Sequence, residues 1–167
     1  TVLLALALVI GTARAAEQPL VLVIHGGAGV IDPARMTAQR AAGYRAGLEA
    51  ALDAGYAVLA SGGSSLDAVT TAVRIMEDDP QFNAGRGAVL NHDGFCELDA
   101  AIMDGSGPRA GAVAGVHHVK NPLDLARLVI DKSPPVLLAG AGAEDFALEQ
   151  GATLMPESYF LTPARLR

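Results

Sequence analysis

The segment EDDPQFNAGRGAVLNHDGFCELDAAIMDG, residues 77–105, decides how the rest of the chain is read. Three consecutive acids run into Pro80, Asn83 sits in a turn with glycines at 85 and 87, and a stretch rich in small residues follows. It resembles the wall of a reaction site, yet no nucleophile, base or metal cluster stands beside it. The helix before it opens at Ser64, with Asp67 three residues on, close to a capping box. Its Leu66, Val69, Val73 and Met76 face the core, and it ends on Glu77, Asp78 and Asp79. Acids there are unfavourable, because a helix C-terminus is the negative end of the dipole and carries unpaired carbonyls. Two explanations stay open: a cation held by those carbonyls, or plain solvation of surface acids. The residues alone favour the second.

Upstream, Leu20–Ile24 is a continuous apolar run closed by HGGAG, which predicts a buried strand ending in a glycine loop. Asp32-Pro33 then offers a helix cap followed by proline at the first helical position. Tyr44, Leu48, Leu52, Tyr56 and Leu59 follow at helical spacing, and Ser61-Gly62-Gly63 stops that helix. Downstream, Phe95–Met103 and Ala110–His117 read as strands separated by the turn at 104–108. Asn121-Pro122 caps a helix through Lys132, Val136–Ala139 is another strand, and Ala143–Gln150 a short helix. From Pro156 onward no period is visible, and the residues read as an exposed tail. There are no repeats and no linker: the chain is one domain, or part of one.

Hydrophobic residues make up 51% of the 167 and charged ones 18%, which places the chain among globular proteins with a real core. A net charge of −6 and arginines scattered singly argue against a nucleic-acid partner. The first residues are different material. Leu3–Ile10 is unbroken apolar sequence, followed by Ala13-Arg14-Ala15 and polar Glu17 and Gln18. That reads as a secretory h-region with its cleavage site, too short to span a bilayer. Residues 1–15 are therefore expected to be a signal peptide lacking its start, with 16–167 a periplasmic or secreted mature chain. Cys96 stands alone, so no intrachain disulfide forms, and its strand-like setting makes it a small buried apolar residue.

Familiar motifs fail here. Counting a dinucleotide fingerprint from Gly27, Gly29 fits but the third position is Asp32. A lipase-like oxyanion loop would require a G-x-S-x-G elbow, and Ser64 and Ser106 lack that frame. His25, His92, His117 and His118 lack the spacing of a zinc site. The glycine loops look like places where backbone amides approach a substrate, while the chemistry belongs to another piece of chain.

Four segments carried in register resolve this: VIHGGAG (23–29), SSLDAVTTAVRIMEDDPQFNAGRGAVLNHDGFCELDAAIMDG (64–105), RAGAVAGVHHVKNPLDLARLVI (109–130) and SPPVLLAGAGAEDFA (133–147). Together they closely resemble the N-terminal half of isoaspartyl peptidases, the plant-type L-asparaginases of the N-terminal-nucleophile hydrolases. The likeness runs from about Val21 to about Phe160. It implies a precursor that cuts itself before a downstream threonine, whose hydroxyl becomes the nucleophile and whose freed amine serves as base. This chain holds no such threonine; Thr162 lacks the G-T-V-G frame and reads as ordinary tail. The resemblance implies an α-subunit that is inert alone, partnered by the β-subunit of the same precursor in a dimer of αβ units. Alternation of elements alone suggests a parallel sheet; the resemblance replaces that with an α/β αββα four-layer sandwich of mixed sheets.

The resemblance also implies roles. Asn83 matches the asparagine beside the nucleophile, where its polar groups meet substrate; without the resemblance it is an asparagine tolerating a left-handed turn. His25, Gly26 and Gly27 match a loop tied to self-cleavage, or else form a simple strand-to-loop turn. The backbone oxygens of Met76, Glu77, Asp79, Phe82, Ala84 and Arg86 match a structural sodium site, whose hard cation takes oxygen ligands. No catalytic cofactor is expected. The activity implied is hydrolysis of isoaspartyl dipeptides and L-asparagine, with a glycosylasparaginase-like amidase or an inactive remnant as alternatives.

Overall fold

The computed structural model describes residues 19–26, 32, 34 and 36–166. The leader expected over residues 1–15, and Gly27, lie outside the described residues.

Helix α1 spans Ala38–Ala60 and α2 spans Ser65–Asp78. The cap of α1 is Thr37, whose hydroxyl accepts the Arg40 amide at 3.2 Å. Asp32 accepts the Ala34 amide at 2.9 Å, so it closes a local turn rather than capping the helix as its sequence suggested. The box at the start of α2 is in place: Ser64 Oγ accepts from the Asp67 amide at 3.1 Å and donates to Asp67 Oδ2 at 2.7 Å. The two helices meet along small residues. Ala51 and Gly55 of α1 are buried, and a methyl group at Gly55 would stand 2.9 Å from the Ala68 oxygen and 3.1 Å from the Ala72 Cβ. The larger stripe from Tyr44 to Leu59 therefore rims the contact instead of forming it, and Tyr56 is left exposed. Backbones this close leave no room for large side chains between them.

Strand β1 (Leu98–Asp104) pairs antiparallel with β2 (Arg109–Val116), and β2 pairs in parallel with β3 (Leu137–Ala139). The sheet is thus mixed, in the order β1-β2-β3. In the connecting turn, Asp104 Oδ1 accepts from the Ser106 hydroxyl at 2.7 Å and the Ser106 amide at 2.9 Å. The register slips between Leu98 and Ala100, and Asp99 there accepts the Gly115 amide through its side chain at 2.8 Å. Helix α3 (Pro122–Lys132) carries the chain from β2 to β3, and α4 (Gly140–Glu149) follows directly. One face of the sheet supplies Leu98, Ile102, Val113 and Val116 to a core completed by Leu125, Ala126 and Val129 of α3 and Ala143 and Ala147 of α4. The other face is bare among the described residues. Ala101, Met103, Ala110, Val136 and Leu137 line a shallow apolar hollow of about 290 Å³, and Met103 is 71% exposed.

Two expectations are corrected. Residues 19–26 join no ladder among the described residues: Val21 and Val23 are 73% and 83% exposed, while Leu22 and Ile24 are half-buried. The segment lies with one side on α1 and the other open, because the described sheet is built from β1, β2 and β3 alone. Nor is the C-terminal segment an exposed tail. Phe160 is 0% exposed in the main core and Thr162 is buried. A single aromatic anchor after a short 3-10 turn, Glu157–Tyr159, has no period for the sequence to display.

Replacing Phe160 by Ala should lower the unfolding free energy of the chain by about 3–5 kcal/mol, the usual cost of emptying a buried aromatic site. Ser158→Ala, at an exposed position beside it, should leave urea unfolding within about 0.5 kcal/mol of the parent. Equal, small effects from both would return the segment to the status of a tail.

Candidate functional site

Pro80 organises the region that the sequence singled out. In an α-helix each carbonyl accepts from the amide four residues on, and for Met76 that residue is Pro80, which has no N–H. The Gln81 amide, which would serve Glu77, instead donates to Asp79 Oδ1 at 2.9 Å. The last turn of α2 thus leaves its Met76 and Glu77 carbonyls without helical donors. The chain then doubles back across them. Gly85 takes a left-handed φ of +47°, and a side chain there would stand 2.5 Å from the Glu77 oxygen. A Cβ at Gly87 would collide with the Phe82 oxygen and stand 2.8 Å from that of Pro80. Only glycine permits this approach at either position. The Asp79 carbonyl accepts from the Phe82 amide at 3.2 Å and that of Ala84 from the Gly87 amide at 2.9 Å. All six carbonyls matched to the sodium site, including that of Arg86, therefore lie on α2's last turn and this one loop. They offer neutral oxygen donors, the class a hard cation prefers.

The three acids are not a solvated cluster. Glu77 is 3% exposed and its Oε1 accepts the Leu123 amide, in the first turn of α3, at 3.0 Å. Asp78 receives Lys120 Nζ at 3.0 Å and Asn121 Nδ2 at 3.2 Å. Glu77 and Asp78, unfavourable against the dipole of α2, thus face the positive end of α3, while Asp79 pairs with Gln81. Asn121 precedes α3 as expected but makes no side-chain cap bond, and Glu77 takes over that task. Burial pushes the Glu77 carboxyl up to about 7, against the pull of the Leu123 amide. Its Oε2 is buried without a hydrogen bond among the described residues. The misfit of an acid at a helix C-terminus was the one sequence signal of this cap.

Phe82 anchors the loop. It is buried among Ile24, Tyr44 and Leu48, its ring edge-on to Tyr44 at 6.3 Å. A methyl group at Gly26 would lie 2.8 Å from Phe82 Cε1 and 2.8 Å from Leu48 Cδ2. The His25-Gly26 segment and the Asn83 loop, far apart in sequence, are therefore neighbours, with His25 exposed. Asn83 is exposed next to this anchor, and its Oδ1 accepts the Val89 amide at 2.8 Å. No described residue other than glycine has positive φ, so Asn83 is not a left-handed turn residue. Its oxygen closes the loop, and its Nδ2 is the group left to offer.

Elsewhere, His117 and His118 are structural. Glu144 Oε1 accepts both of their amides, at 2.6 and 2.7 Å, and Oε2 meets the His118 ring at 3.0 Å. Burial by itself would raise the Glu144 carboxyl, but the His118 ring and the two amides outweigh it and hold it below its ordinary range. Cys96 is buried as expected, and burial raises its thiol. The roles of Glu77 and Glu144 were missed because each acts across a gap of more than twenty residues that no local pattern encodes.

Comparison with known proteins adds the following. Residues 18–167 match the family described as asparaginase. The isoaspartyl peptidase of Salmonella typhimurium is 50% identical over 145 residues, 87% of this chain and 46% of that protein. That of Escherichia coli is 48% identical over 145 residues, 87% and 45% respectively. The isoaspartyl peptidase/L-asparaginase of Mus musculus is 46% identical over 146 residues, 87% and 44%. The chain spans a little under half the length of these relatives.

Glu77→Ala should cost about 2–4 kcal/mol, because it strips a buried helix terminus of its acceptor, whereas Glu77→Gln keeps one and should stay within about 1 kcal/mol of the parent. Equal losses in urea unfolding would show that a neutral carboxamide of nearly the same volume cannot replace the carboxylate as the acceptor for α3. For Glu144 the sign is that of a carboxylate with a depressed folded pKa: its stabilisation holds above the unfolded value and fades as pH falls through the folded one. Between about pH 6 and about pH 3 the parent should lose more stability than Glu144→Gln, which carries no charge to lose. Parallel pH profiles would contradict this.

Proposed function

This chain belongs to the asparaginase family, and from that premise we propose that it is the α-subunit part of an autoproteolytic threonine hydrolase acting on isoaspartyl dipeptides and L-asparagine. The observation that carries the reading is the packing of Gly26 against Phe82. It joins the two segments that match the family's pocket, and neither segment contains a nucleophile. In the proposed reaction the hydroxyl of a downstream threonine attacks the side-chain carbonyl of the substrate. Ammonia or the amine of the following residue leaves, an acyl ester forms, and water releases aspartate. Asn83 Nδ2 is the polar group that this flank offers to substrate. Hydrolysis is the general activity that the relatives' names support; the division of labour between two pieces is our proposal.

The four-layer sandwich belongs to the same reading. Its support is the bare apolar face around Met103 together with the open side of residues 19–26, each suited to cover from a second piece of chain. That piece is the proposed β-subunit, and the assembly a dimer of αβ units. A sodium ion, where present, would be held by the backbone oxygens of Met76, Glu77, Asp79, Phe82, Ala84 and Arg86 and would stiffen the loop; the donors that Pro80 and Gln81 withhold from α2 support this. His25, Gly26 and Gly27 are proposed to border the cleavage point. The leader reading of residues 1–15, and a periplasmic or secreted location with it, rests on Leu3–Ile10 and Ala13-Arg14-Ala15 alone. The relatives from animals lend it no support.

The full-length precursor should release ammonia from L-asparagine and aspartate from an isoaspartyl dipeptide, and residues 16–167 alone should release neither. Asn83→Ala should lower kcat/KM about ten- to a hundredfold, the worth of one well-placed hydrogen bond. Turnover by the isolated chain, or an unchanged kcat/KM in the variant, would refute the proposal.

A further inference from the structure

Two contacts from the C-terminal segment, and a third relayed by Cys96, converge on three consecutive residues of the Asn83 loop. The Arg86 guanidinium lies over the Tyr159 ring at 5.4 Å. Arg165 Nε donates to the Gly87 carbonyl at 2.8 Å, across 78 positions of sequence. Cys96 Sγ sits between the Ala88 carbonyl at 3.7 Å and the Phe160 carbonyl at 3.9 Å, so the two backbones are layered against one thiol. Residues 86 and 87 are thus each held directly by 157–166 and residue 88 through Cys96, and the next residue, Val89, gives its amide to Asn83 Oδ1 at 2.8 Å. At its other end the loop is held by Phe82 in the second core cluster.

We infer that residues 157–166 form a strap that sets the position of Asn83, with Arg165 and Tyr159 as positioning residues. The inference rests on the reading of Asn83 as a pocket residue. Phe160, the wholly buried member of the segment, supplies the fixed point. From there Arg165 reaches the carbonyl of buried Gly87. A charged donor on a neutral carbonyl is among the stronger hydrogen bonds, and one well-formed contact is enough to select a single loop geometry. Tyr159 holds Arg86 by the attraction of a cation to a ring face. Neither residue needs to touch substrate. Both act through the span 86–89, whose displacement would release Val89 from Asn83 Oδ1 and let the carboxamide turn away.

The test uses the full-length protein after self-cleavage, with Arg165→Ala, Arg165→Lys, Tyr159→Leu and Asn83→Ala. Hydrogen exchange in peptides covering 83–89 should rise about tenfold in Arg165→Ala and fall back toward the parent in Arg165→Lys, which restores a donor. Arg165→Ala should lower kcat/KM about tenfold in the parent but less than about twofold in the Asn83→Ala background, since a positioning residue acts through the group it positions. Should Arg165→Ala leave the precursor uncut, Tyr159→Leu carries the same comparison through the other contact. Unchanged exchange over 83–89 overturns the strap. So do additive losses in the double variant, which would mark a merely structural residue. If the parent itself proves inactive, the proposed function fails, and the exchange comparison still decides the strap.

Discussion

Pro80 has no N–H to give, and the region on which the functional reading rests is shaped by that missing donor. It ends α2, frees the Met76 carbonyl, and sends the chain back across the helix end. The return is so close that positions 85 and 87 have room for hydrogen only. What would otherwise be an unfavourable terminus, with free carbonyls and three acids together, becomes a junction. Glu77 and Asp78 turn sideways to the start of α3, Asp79 takes the Gln81 amide, and the Glu77 carbonyl lies against Gly85 of the loop. An exposed asparagine is thereby held between buried Phe82 on one side and its bond to the Val89 amide on the other.

How much of this is legible in the residues depends on the range over which each feature acts. Helix α2 and its capping box, the paired strands β1 and β2, and helices α3 and α4 follow from local period and turn chemistry, with ends displaced by a few residues. The contact between α1 and α2 does not, because the eye follows Leu48 and Tyr56 while the structure uses Ala51 and Gly55. Residues 20–24 carry the composition of a buried strand, but burial needs a partner, and composition cannot say which piece of chain supplies it. Phe160 is one aromatic in an aperiodic stretch, and its weight comes entirely from the core it enters. At the site, Asn83 was legible as a turn residue, but the left-handed turn that was its plain alternative is not what forms: its side chain closes the loop and its backbone is ordinary. The resemblance to a family carried what local physics could not, including the expectation that the reacting group lies elsewhere.

The described architecture is open on one side. Among the described residues, a mixed sheet with a packed face and an open apolar one lies beside an extended segment that joins no ladder, and open apolar surface of this kind marks places where other chain can dock. The exposed side chains of Val21, Val23, Met103, Val136 and Leu137 lie on that surface. In the proposed hydrolase the same surface joins the two pieces, so assembly and the completion of the pocket are one event.

The central claim is that the attacking oxygen arrives on a second polypeptide made by self-cleavage. Intact-mass analysis of the purified full-length product tests it most directly. Two polypeptides are expected, their masses summing to that of the precursor plus one water and the second beginning with threonine. A single uncut polypeptide that hydrolyses asparagine would contradict it.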